Sequence, residues 1–237
     1  MDLDTIELGL APQVAAAGVQ VAYLLVGGLD NRARGDAFID EYRNLQGAIV
    51  RDHSLAAVCG DPRIAGYRRL HETFSVADAA MTPSPESNFR VLFEHGALRT
   101  INLIVDIYNF VSLKYRISAG AHDLDKTPGA VELKITRGDE RFVPLGRSKL
   151  EAIPAGEYAY VDGDGEVLCR LECRQSEKTK IDPTTQNVLF ILQGHAAISM
   201  AAMAQALDEL KALLGAYCGP YATERLLILP PDAARTT

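Results

Sequence analysis

Val131-Glu132-Leu133-Lys134-Ile135 alternates apolar and charged residues, and a period of two marks a half-buried strand. What surrounds it decides the fold class. On its C-terminal side, Glu157 to Val161 and Glu166 to Cys173 flank Asp162-Gly163-Asp164-Gly165, a hairpin signal. Val188 to Leu192 is a continuous apolar strand. A helix is expected from Ala196 to Leu214, with Ile198, Leu207, Leu210 and Leu214 facing inward and Gly215 as its stop. Leu226 to Leu229 reads as a last strand, and Pro230-Pro231 with the polar tail beyond is expected to fray.

The N-terminal side of Gly120 reads differently. After one apolar strand, Val19 to Val26 closed by Gly27-Gly28, the periodicity becomes helical. Asp36 precedes the stripe Phe38, Tyr42, Leu45, Ile49. Asp61-Pro62 and Ser84-Pro85 each place a capping side chain before a proline at the first helical position. Phe89, Leu92 and Phe93 follow the second, and Gly96 can take the left-handed conformation that ends a helix. Asn102 opens a third short helix with Ile104, Ile107, Tyr108 and Val111. Helices, then strands, then a helix is the order of an α+β protein, with helices packed on a mostly antiparallel sheet. No repeat or interdomain linker interrupts the 237 residues, so 1–237 is expected to be a single domain. Thr82-Pro83-Ser84-Pro85 reads as a loop into a helix.

Composition bounds the function. With 48% apolar and 23% charged residues the chain can bury a core. No apolar run reaches the roughly 18–20 residues of a membrane span. Asp2 and Asp4 replace the basic start of a signal peptide, so a soluble cytoplasmic protein without membrane contact is expected. Cys169 and Cys173 have a spacing that suits a metal pair, but no second pair follows; Cys59, Cys169, Cys173 and Cys218 are expected to be reduced, structural thiols. No metal or cofactor is expected. Gly27-Gly28 lacks the remaining glycines of a dinucleotide fingerprint, and no nucleophile elbow, phosphate-binding loop or His-Glu-x-x-His is present. A net charge of −7 argues against sequence-independent nucleic-acid affinity, although a local basic patch can sit on an acidic protein.

Two polar segments stand out. Gly120-Ala121-His122-Asp123-Leu124-Asp125-Lys126 joins the helical half to the sheet half. It reads either as a functional junction loop or as a turn in which Asp123 and Asp125 satisfy backbone donors. Arg174-Gln175-Ser176-Glu177-Lys178-Thr179-Lys180, running on to Asn187, is the most basic stretch of the chain. It reads either as a solvated loop or as a surface for phosphates and ribose hydroxyls.

Arg99 to Val111, then Asp123-Leu124-Asp125-Lys126, then Thr185-Gln186-Asn187-Val188-Leu189 follow one another in an order and spacing that resembles the B3/B4 domain of the phenylalanyl-tRNA synthetase beta subunit. The resemblance covers residues 96–192; residues 1–60 and 195–237 resemble the flanks of free-standing versions of that domain. It implies an α+β domain whose pocket lies between helices and sheet. Within the synthetase that domain hydrolyses tyrosine mischarged onto phenylalanine tRNA. The family's pocket Asn matches Asn109, its neighbouring Thr is replaced by Tyr108, and its Glu after the hairpin aligns with Glu177. Its His aligns with Gly120, with His122 two residues on. In a strand that spacing returns to the same face, while in a loop it guarantees nothing.

The resemblance implies an aminoacyl-tRNA deacylase acting in trans and not a ligase. In that reading Glu177, Asn109 and His122 are the catalytic group, and Tyr108, Gly120, Asp123, Asp125, Lys126 and Ser176 shape or bind the substrate. Arg174, Lys178 and Lys180 meet the RNA. The competing reading is a non-catalytic module for tRNA or an amino-acid-like ligand. The deacylase reading expects Asn109, His122 and Glu177 in one cleft, within about 10 Å of one another, since acid, base and orienting groups must share a site.

Overall fold

The computed structural model describes residues 3–32, 36–74 and 81–230. Pro231 and the tail expected to fray lie outside the described residues. In chain order the elements are β1 (Glu7–Leu10), α1 (Pro12–Ala16), β2 (Gln20–Gly27), α2 (Asp36–Asp52), α3 (Leu55–Gly60), α4 (Pro62–Thr73), α5 (Ser84–His95) and α6 (Leu103–Tyr115). There follow β3 (Ser118–Asp123), a 3-10 turn (Leu124–Lys126), β4 (Ala130–Ile135), β5 (Tyr158–Asp162), β6 (Val167–Arg170), β7 (Arg174–Gln175), β8 (Val188–Gly194), α7 (Met200–Tyr217) and β9 (Thr223–Leu229).

The α+β class is as the sequence predicts, but the strands form two sheets rather than one. The first has the order β3-β8-β2-β9 and is antiparallel throughout. The second has the order β1-β4-β5-β6-β7, antiparallel except for the β1–β4 pair. β2 and β8 are interior strands buried along almost their whole length, which is why both read as unbroken apolar runs. Each fully buried Leu or Val there contributes about 1.5–3 kcal/mol. α6 packs on β3 and α7, and α7 on β8. The second sheet approaches from the other side: Tyr23 of β2 donates to the Gly9 carbonyl at 2.7 Å and meets the Tyr160 ring edge-on at 6.3 Å. Most buried residues of both sheets and the helices belong to one apolar cluster, and Phe142, Ile153, Ala159, Val161 and Val167 form a second, smaller one at the five-stranded sheet.

Local signals explain most element ends. Asn102 accepts from the Val105 amide at 3.1 Å and starts α6, and Asp61 accepts from Arg63 to start α4. Gly96 ends α5 with φ 78°. In the β5–β6 turn, Gly165 has φ 76° while Asp162 accepts from the amides of Asp164 and Glu166.

Several expectations are corrected. The N-cap of α5 is Pro83, and the Ser84 hydroxyl instead faces Ser118 Oγ at 3.5 Å. α7 runs through Gly215 to Tyr217, because Leu213, Leu214 and the partly buried Tyr217 pack on both sides of the glycine. Gly120 to Asp123 is not a loop but part of β3, paired along its length with β8. β6 stops at Arg170. Leu171, with φ 55°, turns the chain through Glu172 and Cys173 into β7, so the segment expected to be a solvated loop begins as a strand.

Candidate functional site

A cavity of about 390 Å³ opens where α5 and α6 meet β3, β8 and the β6–β7 turn. Its helical wall follows from spacing. Val105, Tyr108 and Asn109 stand three and four residues apart on α6 and share one face. The Asn109 Oδ1 accepts from Asn88 Nδ2 of α5 at 3.4 Å, which holds its amide at the wall. Tyr108 is buried, and burial pushes its phenol far above the ordinary range, so it stays protonated.

The strand wall is set by the alternation of β3. Ser118, Gly120 and His122 point to one side, and all three line the cavity. A Cβ on Gly120 would stand 3.1 Å from Gln175 Nε2, so any larger side chain there must displace the Gln175 amide. His122 is 2% exposed, with its Nδ1 2.9 Å from Thr179 Oγ1. Burial lowers its pKa to about 3, so the ring is neutral at physiological pH.

At the floor lies a group that the sequence reading missed. Glu172, its side chain 1% exposed, bonds through one oxygen to His71 Nε2 at 2.9 Å and through the other accepts from Tyr158. His71 Nδ1 lies 3.2 Å from the Met81 carbonyl. Burial works against charge on His71, but the hydrogen bond and charge of Glu172 outweigh it and raise the pKa. Gln193 lines the same floor. Its Oε1 accepts from Tyr160 at 2.6 Å, and its Nε2 is buried with no partner among the described residues. Tyr67 of α4 stands behind this end of the wall. Its hydroxyl accepts from the Ser118 amide and donates to the Gln193 carbonyl, standing between two residues that are register partners in the sheet. His71 was legible, since it continues the buried α4 stripe of Ile64 and Tyr67. Glu172 sits in a turn after a strand end and carries no periodic signal.

Of the residues expected to form the site, Asn109, His122, Tyr108, Gly120 and Arg174 line the cavity. Glu177 does not. Its carboxylate is held at the surface by the Lys180 ammonium and by the Gly146 amide at 2.8 Å, which lower its pKa from the ordinary carboxylate value. It anchors the loop whose Leu145 lies at the cavity mouth. Asp123, Asp125, Lys126 and Ser176 also lie outside the lining. Asp123 caps the 3-10 turn, accepts from Thr185 at 3.1 Å and pairs with Lys126 at 2.8 Å. Asp125 accepts from Asn187 at 2.9 Å. The Ser176 hydroxyl accepts from the Lys178 amide at 3.1 Å. These contacts fasten β3 to the 182–187 loop.

The basic residues are neutralised within the chain. Arg174 makes two bonds to Glu151, at 2.6 and 3.1 Å; Lys178 pairs with Asp162 at 3.0 Å and with Glu166; Lys180 pairs with Glu177. All four cysteines are free thiols, and burial raises the pKa of Cys169 and Cys173, both of which line the floor. The cavity is thus lined by more apolar than polar surface, with the Glu172 carboxylate at its floor, and suits a small ligand that hydrogen-bonds to amide and imidazole groups. Among the described residues, no helix is long and apolar enough to cross a membrane.

Comparison with known proteins gives this pocket a family. The phenylalanine–tRNA ligase beta subunit of Mycoplasma pneumoniae is 32% identical over 113 residues, covering 48% of this chain and 14% of that protein. The same subunit from Leifsonia xyli is 26% identical over 226 residues, covering 84% and 26%. The chain therefore spans about a quarter or less of the curated relatives it matches. A solved N-terminal fragment of the Pyrococcus horikoshii phenylalanyl-tRNA synthetase beta subunit aligns over 93% of this chain and 50% of the fragment, at 13% identity and a TM-score of 0.49. That overlay carries no weight in the assignment, which rests on the sequence match. The B3/4 domain matches residues 75–219, which include α5, α6, β3 and the β6–β7 turn around the cavity, and the chain belongs to the B3/4 domain family.

Proposed function

We propose that the cavity receives the aminoacyl group at the 3′ end of a tRNA and hydrolyses its ester in trans. The observation that carries this reading is that Asn109 and His122, from a helix and a strand distant in sequence, line one cavity together with Gly120. The relatives are subunits of a phenylalanine–tRNA ligase, which supports tRNA as the partner. His122 is too weak a base to store a proton at neutral pH. Its role is to fix a water through Nε2, with Asn109 holding the substrate and the Gln175 amide donating to the developing oxyanion. Water attacks the ester carbon, the bond to the ribose oxygen breaks, and the ribose oxygen takes the proton. The site assigned to Glu177 passes to these groups, and Glu177 acts by holding the Leu145 loop. The apolar cluster shared by both sheets supports reading residues 1–237 as one domain, and the cytoplasm is where its tRNA partner would be met.

The test is deacylation of a panel of mischarged tRNAs by the wild type, Asn109→Ala, His122→Ala and Glu177→Ala. Asn109→Ala and His122→Ala are expected to lose about 100-fold in turnover, while Glu177→Ala retains most of it. Turnover that survives both cavity substitutions refutes the site. A second reading, a pocket for a free amino-acid-like ligand, is favoured by the neutralisation of Arg174, Lys178 and Lys180 by acids of the same chain. Calorimetric binding of an amino acid, with tRNA binding absent even at low salt, would select it.

A further inference from the structure

Beneath the cavity, His71, Glu172 and Cys173 offer a nitrogen, a carboxylate oxygen and a sulfur that all lie within 4.8 Å of one another. We propose that these three side chains bind a thiophilic divalent cation of the zinc type, with its open coordination position toward the cavity. The inference is independent of the hydrolase reading.

Three features point to it. The first is the donor set. Three protein ligands drawn from His, Glu or Asp and Cys, plus one open position, is how proteins hold reactive zinc. Metal–ligand bonds of about 2.0–2.3 Å put tetrahedral donors about 3.3–3.7 Å apart, so the His71–Glu172 contact of 2.9 Å must open by a few tenths of an ångström and the Cys173 sulfur, within 4.8 Å of both, must close in as the cation enters. The second is a proton conflict. Both ring nitrogens of His71 face acceptors, the Met81 carbonyl at 3.2 Å and Glu172 at 2.9 Å. A neutral imidazole has only one N–H. If Nδ1 donates to Met81, as the second ring nitrogen of a metal-bound histidine does, Nε2 presents a lone pair to a carboxylate. Either a proton on Nε2, shared with Glu172, or a cation between the two satisfies that contact, so the pair offers a cation a ready place. The third is Gln193. Its Nε2 is buried without a partner among the described residues and belongs to the same floor as Glu172 and Cys173. It supplies a donor for a water or hydroxide in the fourth position.

Binding balances in protons. The cation takes Cys173 as the thiolate and His71 through an unprotonated Nε2, so the thiol proton, and with it any proton on Nε2, leaves for solvent.

The test uses the intact chain purified without chelator. Metal content is measured by mass spectrometry, and the chelator-stripped protein is titrated with Co²⁺ while absorbance and proton release are followed. The expected result is saturation at one Co²⁺ per chain, a thiolate-to-cobalt band in the near ultraviolet, and proton release. Cys173→Ser is expected to remove the band and weaken binding at least about tenfold, whereas Cys218→Ser, a buried thiol elsewhere, leaves both unchanged. If the wild type retains no metal and gives no cobalt band, His71 and Glu172 are an ion pair only and the proposal fails; this arm needs no variant to fold. An unchanged band in Cys173→Ser overturns it equally.

Discussion

Lowering the pH should destabilise this fold through His122, by an amount the structure sets. The ring is 2% exposed in the wall between β3 and α6, and burial lowers its pKa from 6.5 to about 3. The unfolded chain therefore binds a proton that the folded chain refuses. The stabilisation is present above the unfolded value, fades as pH falls below it, and is fully lost below the folded value. The whole shift corresponds to at most about 5 kcal/mol, and acidifying from about pH 7.5 to about pH 5 should cost about 2 kcal/mol. The assay is urea unfolding across that range for the wild type and for His122→Asn, which keeps a polar atom near Thr179 and does not titrate. The difference between the two profiles isolates His122 from other titrating groups. Parallel profiles, or a His122 ring proton that titrates near 6.5 by NMR, would refute the argument.

Two further outcomes concern the scaffold. In Gly66→Ala the new Cβ would stand 1.9 Å from His195 Cε1, and the ring is fixed by Arg63 and Ala197, so about 3 kcal/mol of stability should be lost in urea unfolding; a loss below about 1 kcal/mol would mean the ring swings clear. Burial raises the Asp106 carboxyl to about 6, against the Ile101 amide that it accepts. The fold thus prefers the protonated acid, and stability falls as pH rises from 3.8 through about 6. Asp106→Asn should gain about 1–2 kcal/mol at neutral pH, discounted for solvent screening, and an unchanged denaturation midpoint would show that the carboxylate is better solvated than its burial implies.

What could be read from the chain and what could not divides along the reach of each interaction. β2, α2, α6 and the β5–β6 hairpin declare themselves through periods, caps and turn residues that lie within a few positions of one another. The partition into two sheets depends on pairings such as β1 with β4, more than a hundred residues apart, and nothing local encodes it. β3 escaped because Ser118-Ala119-Gly120-Ala121 has no β-branched residue; pairing with β8 makes it a strand. Gly215 misled because packing of α7 outweighs a helix penalty of about 1 kcal/mol. The site divides in the same way. Asn109 and His122 line one cavity, whereas Glu177 spends its carboxylate on Gly146 and Lys180. Glu172 owes its place to a left-handed turn that only the folded chain reveals.

The Tyr67 hydroxyl is a spacer wedged into a rung of the sheet. Were that rung closed directly, amide to carbonyl, Ser118 and Gln193 would draw together and the pocket they border would narrow. The aperture is thus governed by a helix residue that is not itself part of the lining. A fold built this way can alter what it admits by lengthening or shortening one distant prop, leaving every group that touches the guest unchanged.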